Sequence, residues 1–270
     1  MGILAPLKKR YHGYVSQGDK RTVVLRGRNR CNGAAGYVSL TGQACRVKAA
    51  KASLLKKIYN VLLCSLGPQH WWPAQTPFEV MVGAILVQNT NWTNVERVIS
   101  HLKARRLLTA KKLNALDVER LALLIRPAGY FNVKAQRLKH FLTFFCDHYD
   151  ADVRRMKLRD GAQLRQELLG VHGIGPETAD SILLYALDKP FFVIDNYTQR
   201  IFARHKILNH DTCYQDAQQF FHRHLSRDVK VYNEYHALLV RLAKDFCRKK
   251  PLCVQCPLQS LPKTRCVNNN

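Results

Sequence analysis

Residues 168–201, LLGVHGIGPETADSILLYALDKPFFVIDNYTQRI, constrain this chain more than any other stretch. Gly170, Gly173 and Gly175 crowd together and predict a turn. Glycine has no Cβ, so the backbone N–H groups of such a turn can come close to a phosphate. Beyond it, Ala179, Ile182, Leu183 and Ala186 recur at i, i+3, i+4 and i+7, which predicts a helix over 178–187. Pro190 ends that pattern, and the apolar run after it closes on one carboxylate, Asp195. A phosphate cradle followed by a lone acid suits chemistry on a sugar–phosphate backbone. The bland alternative is an ordinary turn between two helices, with Asp195 serving only as the N-cap of the next one.

The rest of the chain also reads as helix. Ser53 can cap a helix that puts Leu54, Leu55, Ile58 and Leu62 on one face. Pro77 opens FEVMVGAILVQNTNW, apolar nearly all round and therefore buried. Thr93 or Asn94 caps the next helix, and helical patterns continue over 110–126, 134–148, 161–169 and 213–226. Few segments resemble strands, so the expected fold class is all-α.

Charge narrows the partner. Lys and Arg total 43 against 19 Asp and Glu, a net charge of +24, which predicts attraction to a polyanion such as nucleic acid. Residues 1–52 hold eleven Lys and Arg but one acid, Asp19, and show no helical period. They read as an unstructured basic arm: a DNA-binding tail, upstream sequence from a wrong start site, or an organelle transit peptide. No apolar run is long enough to span a membrane, and there is no signal-peptide core. Nine cysteines, four of them crowded at the end, favour a reducing compartment and one metal site over a disulfide framework. The expected location is the cytoplasm, with organelle import left open.

Five segments in order, PFEVMVGAILVQNTNW, GYFNVKAQRL, LLGVHGIGPETA, FFVIDNYTQRI and the terminal cysteines, resemble the helix-hairpin-helix DNA glycosylases of the endonuclease III type. The resemblance spans roughly residues 53–270. It implies two helical domains, 53–75 with 190–270 and 76–189, holding DNA and a flipped base in the cleft between them. The implied partner is double-stranded DNA with a damaged base, bound by a monomer.

The resemblance also assigns roles. Asp195, in VIDNYTQR, matches the aspartate that stabilises the cationic sugar or orients water. A fixed anion in a dry cleft is what an oxocarbenium-like centre needs. Gly173 and Gly175 would touch a DNA phosphate. Bifunctional members carry a Schiff-base lysine in the hairpin. Glu177 stands there in this chain, and a carboxylate cannot form an imine. A monofunctional glycosylase is therefore expected, with a bifunctional or mismatch glycosylase and a non-catalytic damage binder as alternatives.

Trp71 and Trp72, in HWWP, and Trp92, in QNTNW, are similar to the 3-methyladenine DNA glycosylase III branch, in which aromatics from these two places sandwich the base. Electron-rich faces would favour a cationic alkylated purine by about 1–2 kcal/mol; core packing is the competing role. Gln88 matches the residue that fills the hole left by the flipped nucleotide, and Tyr130 or Phe131 stands at the intercalating wedge. Cys247, Cys253, Cys256 and Cys266 match the family's [4Fe–4S] ligands, with a longer last interval, and zinc or no metal are the alternatives. Arg248, Lys249 and Lys250, in the first cysteine loop, are expected to meet phosphate.

Overall fold

The computed structural model describes residues 40–261, with side chains from residue 49. Among them are twelve α-helices and no strand. These are α1 (Leu40–Leu66), α2 (Pro77–Leu86), α3 (Trp92–Ala104), α4 (Ala110–Ala115), α5 (Val118–Leu124), α6 (Phe131–Tyr149), α7 (Val153–Leu158), α8 (Gly161–Gly170), α9 (Pro176–Ser181), α10 (Asn196–Arg204), α11 (Tyr214–His224) and α12 (Val229–Asp245). The fold is all-α, as the patterns predict.

Local chemistry accounts for most boundaries. The Thr76 hydroxyl accepts the Glu79 N–H at the start of α2, and Pro77 at the first turn forfeits no bond. Asp117 caps α5 by accepting the Arg120 N–H, which splits the single pattern read over 110–126 into two helices.

Three expectations need correction. Helix α1 begins at Leu40, inside the stretch read as an unstructured arm, and not at Ser53. Residues 43–52 are mostly alanine and long straight-chain residues, so the packed helix propagates backward at little cost. Residues 1–39 lie outside the described part. Helix α3 is capped by Asn91, whose Oδ1 accepts the Asn94 N–H, so Trp92 and not Asn94 is its first residue. Phe131 belongs to α6 and is half-buried against the core, not in the turn with Tyr130.

The described residues bury two apolar cores. One gathers α2–α9 around Met81, Ile85, Leu138, Phe141 and Leu183. The other gathers α1 and α10–α12 around Ile58, Phe192, Phe202, Phe221 and Tyr235. A π-helical turn, Ile182–Ala186, continues α9 and serves both: Leu183 and Ala186 enter the first core, and Leu184 enters the second. A buried ion pair also bridges them. Arg165 on α8 reaches Asp180 on α9 at 2.6 and 3.0 Å, and Asp180 accepts from Tyr214 and Gln218 on α11, each at 2.8 Å. No described helix is long and apolar enough to cross a membrane.

Candidate active site

A cleft of about 1000 Å³ is lined from both cores. Trp71, Trp72, Gln88, Trp92, Gly173, Gly175, Glu177 and Asp195 all face it. Sequence positions more than a hundred apart thus meet in one place. Tyr130, Phe131, Arg248, Lys249 and Lys250 do not line it, and Cys266 lies outside the described residues.

Asp195 caps α10. Its Oδ1 accepts the Thr198 N–H at 2.7 Å, which leaves Oδ2 for the cleft. Oδ2 lies 3.7 Å from His236 Nε2. Burial pushes the Asp195 carboxyl up, but His236 and the Thr198 hydrogen bonds outweigh it and hold the group below its ordinary value. Asp195 is thus an anion at neutral pH with only 13% of its side chain exposed. His236 Nδ1 meets the Tyr185 hydroxyl at 2.5 Å. Burial, and then the Asp195 charge, drive the Tyr185 phenol well above its ordinary value, so it stays protonated.

Glu177 is on the first turn of α9, open to the water of the cleft. Loss of solvation, and then repulsion from Asp195, raise its pKa to about 7, with His236 acting against them. Two carboxylates in one cleft are therefore pushed apart in pKa, a pattern characteristic of acid–base sites.

The two hairpin glycines differ in cause. Gly173 has φ +90°, and a Cβ there would stand 2.2 Å from Arg137 Cγ. Gly175 has an ordinary φ of −90°, and a Cβ there would meet nothing within 4 Å. The first glycine is demanded by the protein itself, whereas the second leaves open space at the cleft. Gln88 ties the hairpin to α2: its amide donates to Gly173 O at 3.1 Å and Thr178 Oγ1 at 2.9 Å, and its Oε1 accepts from Arg137 at 2.5 Å. Arg137, which no sequence signal singled out, thus supports the hairpin from α6.

Of the two expected pairings, Trp71 or Trp72 with Trp92, the second does not form a slot. The Trp72 and Trp92 ring centroids are 5.2 Å apart at 88°, edge to face. A base sandwiched between them would need parallel rings two stacking intervals apart, about 7 Å. Trp72 also packs on Tyr185 at 5.1 Å and on Trp71 at 5.8 Å, which makes it the floor of the aromatic wall. The Lys244 ammonium lies 5.8 Å from the Trp71 ring centroid, at the cleft edge.

Outside the cleft, Tyr130 is 72% exposed with φ +47°, on a turn held by buried Lys134, which donates to Ala128 O at 2.7 Å. Arg248, Lys249 and Lys250 are exposed. Cys247, Cys253 and Cys256 line a separate cavity of about 30 Å³ with Leu242, Phe246 and Leu258. Arg204 donates to Cys247 Sγ at 3.3 Å. Cys247 is a free thiol. Among the described residues no group of three or more His, Cys, Asp or Glu is placed to hold a metal ion.

The fold and the cleft define an all-helical protein that turns a glycine hairpin, an aromatic wall and a buried acid toward one opening. Residues 82–227, just over half of the chain, match the HhH-GPD superfamily of base excision DNA repair proteins. The chain belongs to that superfamily and is a DNA glycosylase. It is 48% identical over 214 residues to a Methanocaldococcus jannaschii protein named for a DNA repair glycosylase, covering 79% of this chain and 97% of that one. Against Endonuclease III of Sulfolobus acidocaldarius it is 27% identical over 189 residues, covering 69% and 81%. The solved 3-methyladenine DNA glycosylase MagIII of H. pylori, bound to 1,N6-ethenoadenine, superposes with a TM-score of 0.62 at 27% identity, covering 72% of this chain and 97% of that one. An endonuclease III–DNA complex superposes with a TM-score of 0.67 at 20% identity, covering 77% and 93%, a likeness of fold.

Proposed function

We propose that this glycosylase is monofunctional and hydrolyses the N-glycosidic bond of a flipped alkylated purine in duplex DNA, acting as a monomer. The observation that carries the reading is the single cleft that holds Asp195, Glu177 and the three tryptophans. The base leaves with the bonding electron pair, and the sugar becomes oxocarbenium-like at C1′. Asp195 Oδ2 stabilises that cation, water adds its oxygen to C1′, and the proton of the water passes to solvent or Asp195. Glu177 offers no amine, so no imine forms and an abasic site is the product. A purine alkylated at N3 or N7 is cationic and leaves as a neutral base, so little acid catalysis is required. The likeness to MagIII, a 3-methyladenine DNA glycosylase, supports this substrate class. Around the extruded base, Gly173 and Gly175 contact phosphate, and Tyr130 and Gln88 offset part of the cost of flipping.

A base-release screen over methylated, oxidised and mismatched duplexes, run with and without borohydride, tests the reading. Release of methylated purine with no trapped adduct is expected. Efficient trapping would instead point to a bifunctional enzyme, and release confined to oxidised or mismatched bases would replace the substrate class.

The same reading gives Cys247, Cys253, Cys256 and Cys266 a [4Fe–4S] cluster. The donor chemistry fits: three sulfurs share one apolar-walled cavity, and Arg204 supplies an N–H to one of them. The cluster would brace the loop that carries Arg248, Lys249 and Lys250, which then face phosphate. Iron and sulfide analysis of anaerobically purified protein tests this, and an iron-free folded protein would refute it.

A further inference from the structure

His236 sits on α12 and is 6% exposed. Its Nε2 is shut off from solvent and has no hydrogen-bond partner, yet it faces Asp195 Oδ2 at 3.7 Å. A buried ring nitrogen without a partner is costly unless it serves a partner that arrives or tightens. Catalytic hydrogen bonds are often long before the complex forms. The groups that face this imidazole are Asp195 from the start of α10, Tyr185 from the π turn and Glu177 from α9.

Where a single proton is shared between Tyr185 Oη and His236 Nδ1, its owner decides what Asp195 sees. If the imidazole donates from Nδ1, a lone pair on Nε2 points at the carboxylate, and the two repel. If the phenol donates, Nδ1 accepts, the neutral ring carries its hydrogen on Nε2, and an N–H dipole points at the anion. The phenol is buried and needs an acceptor, and Nδ1 is the partner it has. The second arrangement satisfies all three groups.

We infer that His236, with its tautomer set by Tyr185, is a positioning residue that holds Asp195 Oδ2 toward the cleft while Thr198 holds Oδ1. The inference rests on the reading of Asp195 as the anion for a cationic sugar. Without the imidazole, the carboxylate keeps its cap bond but loses the partner that aims its second oxygen.

A substrate-independent test uses duplexes with an abasic-site analogue. In one, a protonated pyrrolidine nitrogen takes the place of the sugar cation; in the other, a neutral tetrahydrofuran has the same shape. The ratio of the two dissociation constants reads the field of Asp195, and it is followed from pH 5 to pH 8. Wild type should prefer the cation and Asp195→Asn should lose the preference. His236→Ala should lower the ratio by roughly ten- to a hundredfold, the range for directly coupled neighbours, and barely change tetrahydrofuran binding. His236→Gln, which keeps an N–H near the Nε2 position, should recover much of it. Tyr185→Phe, which frees the tautomer, should fall between them. In an Asp195→Asn background, His236→Ala should have no further effect.

A wild-type ratio of one, or an Asp195→Asn protein that keeps the preference, would reject the Asp195 reading itself. A lost preference in Asp195→Asn with an unchanged ratio in the His236 variants would overturn the positioning role alone. If His236→Ala does not fold, the Gln and Tyr185→Phe variants decide by the same criteria.

Discussion

Glu177 and Asp195 face one cleft and titrate in opposite directions, the first raised to about 7 and the second held low. A carboxyl group whose folded pKa is raised adds stability that is complete below its unfolded value of 4.5 and is lost as pH rises through about 7. Glu177→Gln should therefore match wild type near pH 4 and be the more stable protein at pH 8. Because Glu177 is open to water, screening limits the gain to about 1 kcal/mol or less, or roughly 2–4 °C in melting temperature. Thermal melts of both proteins at the two pH values check this, and a gain confined to low pH would contradict the assigned direction.

The same position separates hydrolysis from lyase chemistry. Glu177→Lys puts an amine beside the Asp195 anion, which favours its charged form and slows it as a nucleophile at neutral pH. Borohydride should trap no adduct with wild type and should trap one with Glu177→Lys, more of it at pH 9 than at pH 7. Equal trapping by the two proteins would end the monofunctional reading.

Gly173 and Gly175 should respond differently to alanine. At Gly173, the positive φ and the 2.2 Å approach to Arg137 Cγ both oppose a Cβ, and moving Arg137 strains its bond to Gln88. A loss of about 1–3 kcal/mol is expected. At Gly175 no protein atom is near, so stability should change by no more than about 0.5 kcal/mol while affinity for DNA falls. Unfolding curves together with anisotropy titrations of a duplex would test the pair. Wild-type affinity in Gly175→Ala would mean that no backbone phosphate approaches there.

How much of this was open to a reader of the sequence depends on the distance over which each feature is specified. Helix type was legible because Thr76–Pro77 and the apolar periods are local. The hairpin, Asp195 and Glu177 were legible because one short stretch carries them all. The Trp72–Trp92 geometry was not, because ring angles depend on how the loop after α1 packs on Gly83 and Tyr185. His236 and Tyr185 were hidden for another reason: each lies in an apolar helical run where an aromatic ring reads as core, and only the packing of α12 against α10 and the π turn brings them to Asp195. Arg137 looked like one more cation on an amphipathic helix until the fold set its stem under Gly173.

The Arg165–Asp180 pair tests whether the two cores act together. Asp180 is fully buried and Arg165 keeps 13% of its side-chain exposure, so the pair exists only as a satisfied unit with Tyr214 and Gln218. Asp180→Ala leaves an uncompensated guanidinium and two orphaned donors, and should cost about 3–5 kcal/mol. The Tyr214 hydroxyl also accepts the Ile194 N–H at 3.4 Å, one residue before Asp195. The damage should therefore reach the acid, and base release measured well below the lowered melting temperature should fall as well. Asp180→Ala combined with Arg165→Met removes the stranded charge and should recover part of the stability, because replacing a buried pair costs far less than halving it. If the double variant proved less stable than Asp180→Ala, the charge would not be the source of the loss. If activity survived in the single variant, the link from Asp180 through Tyr214 to Asp195 would carry no positioning role.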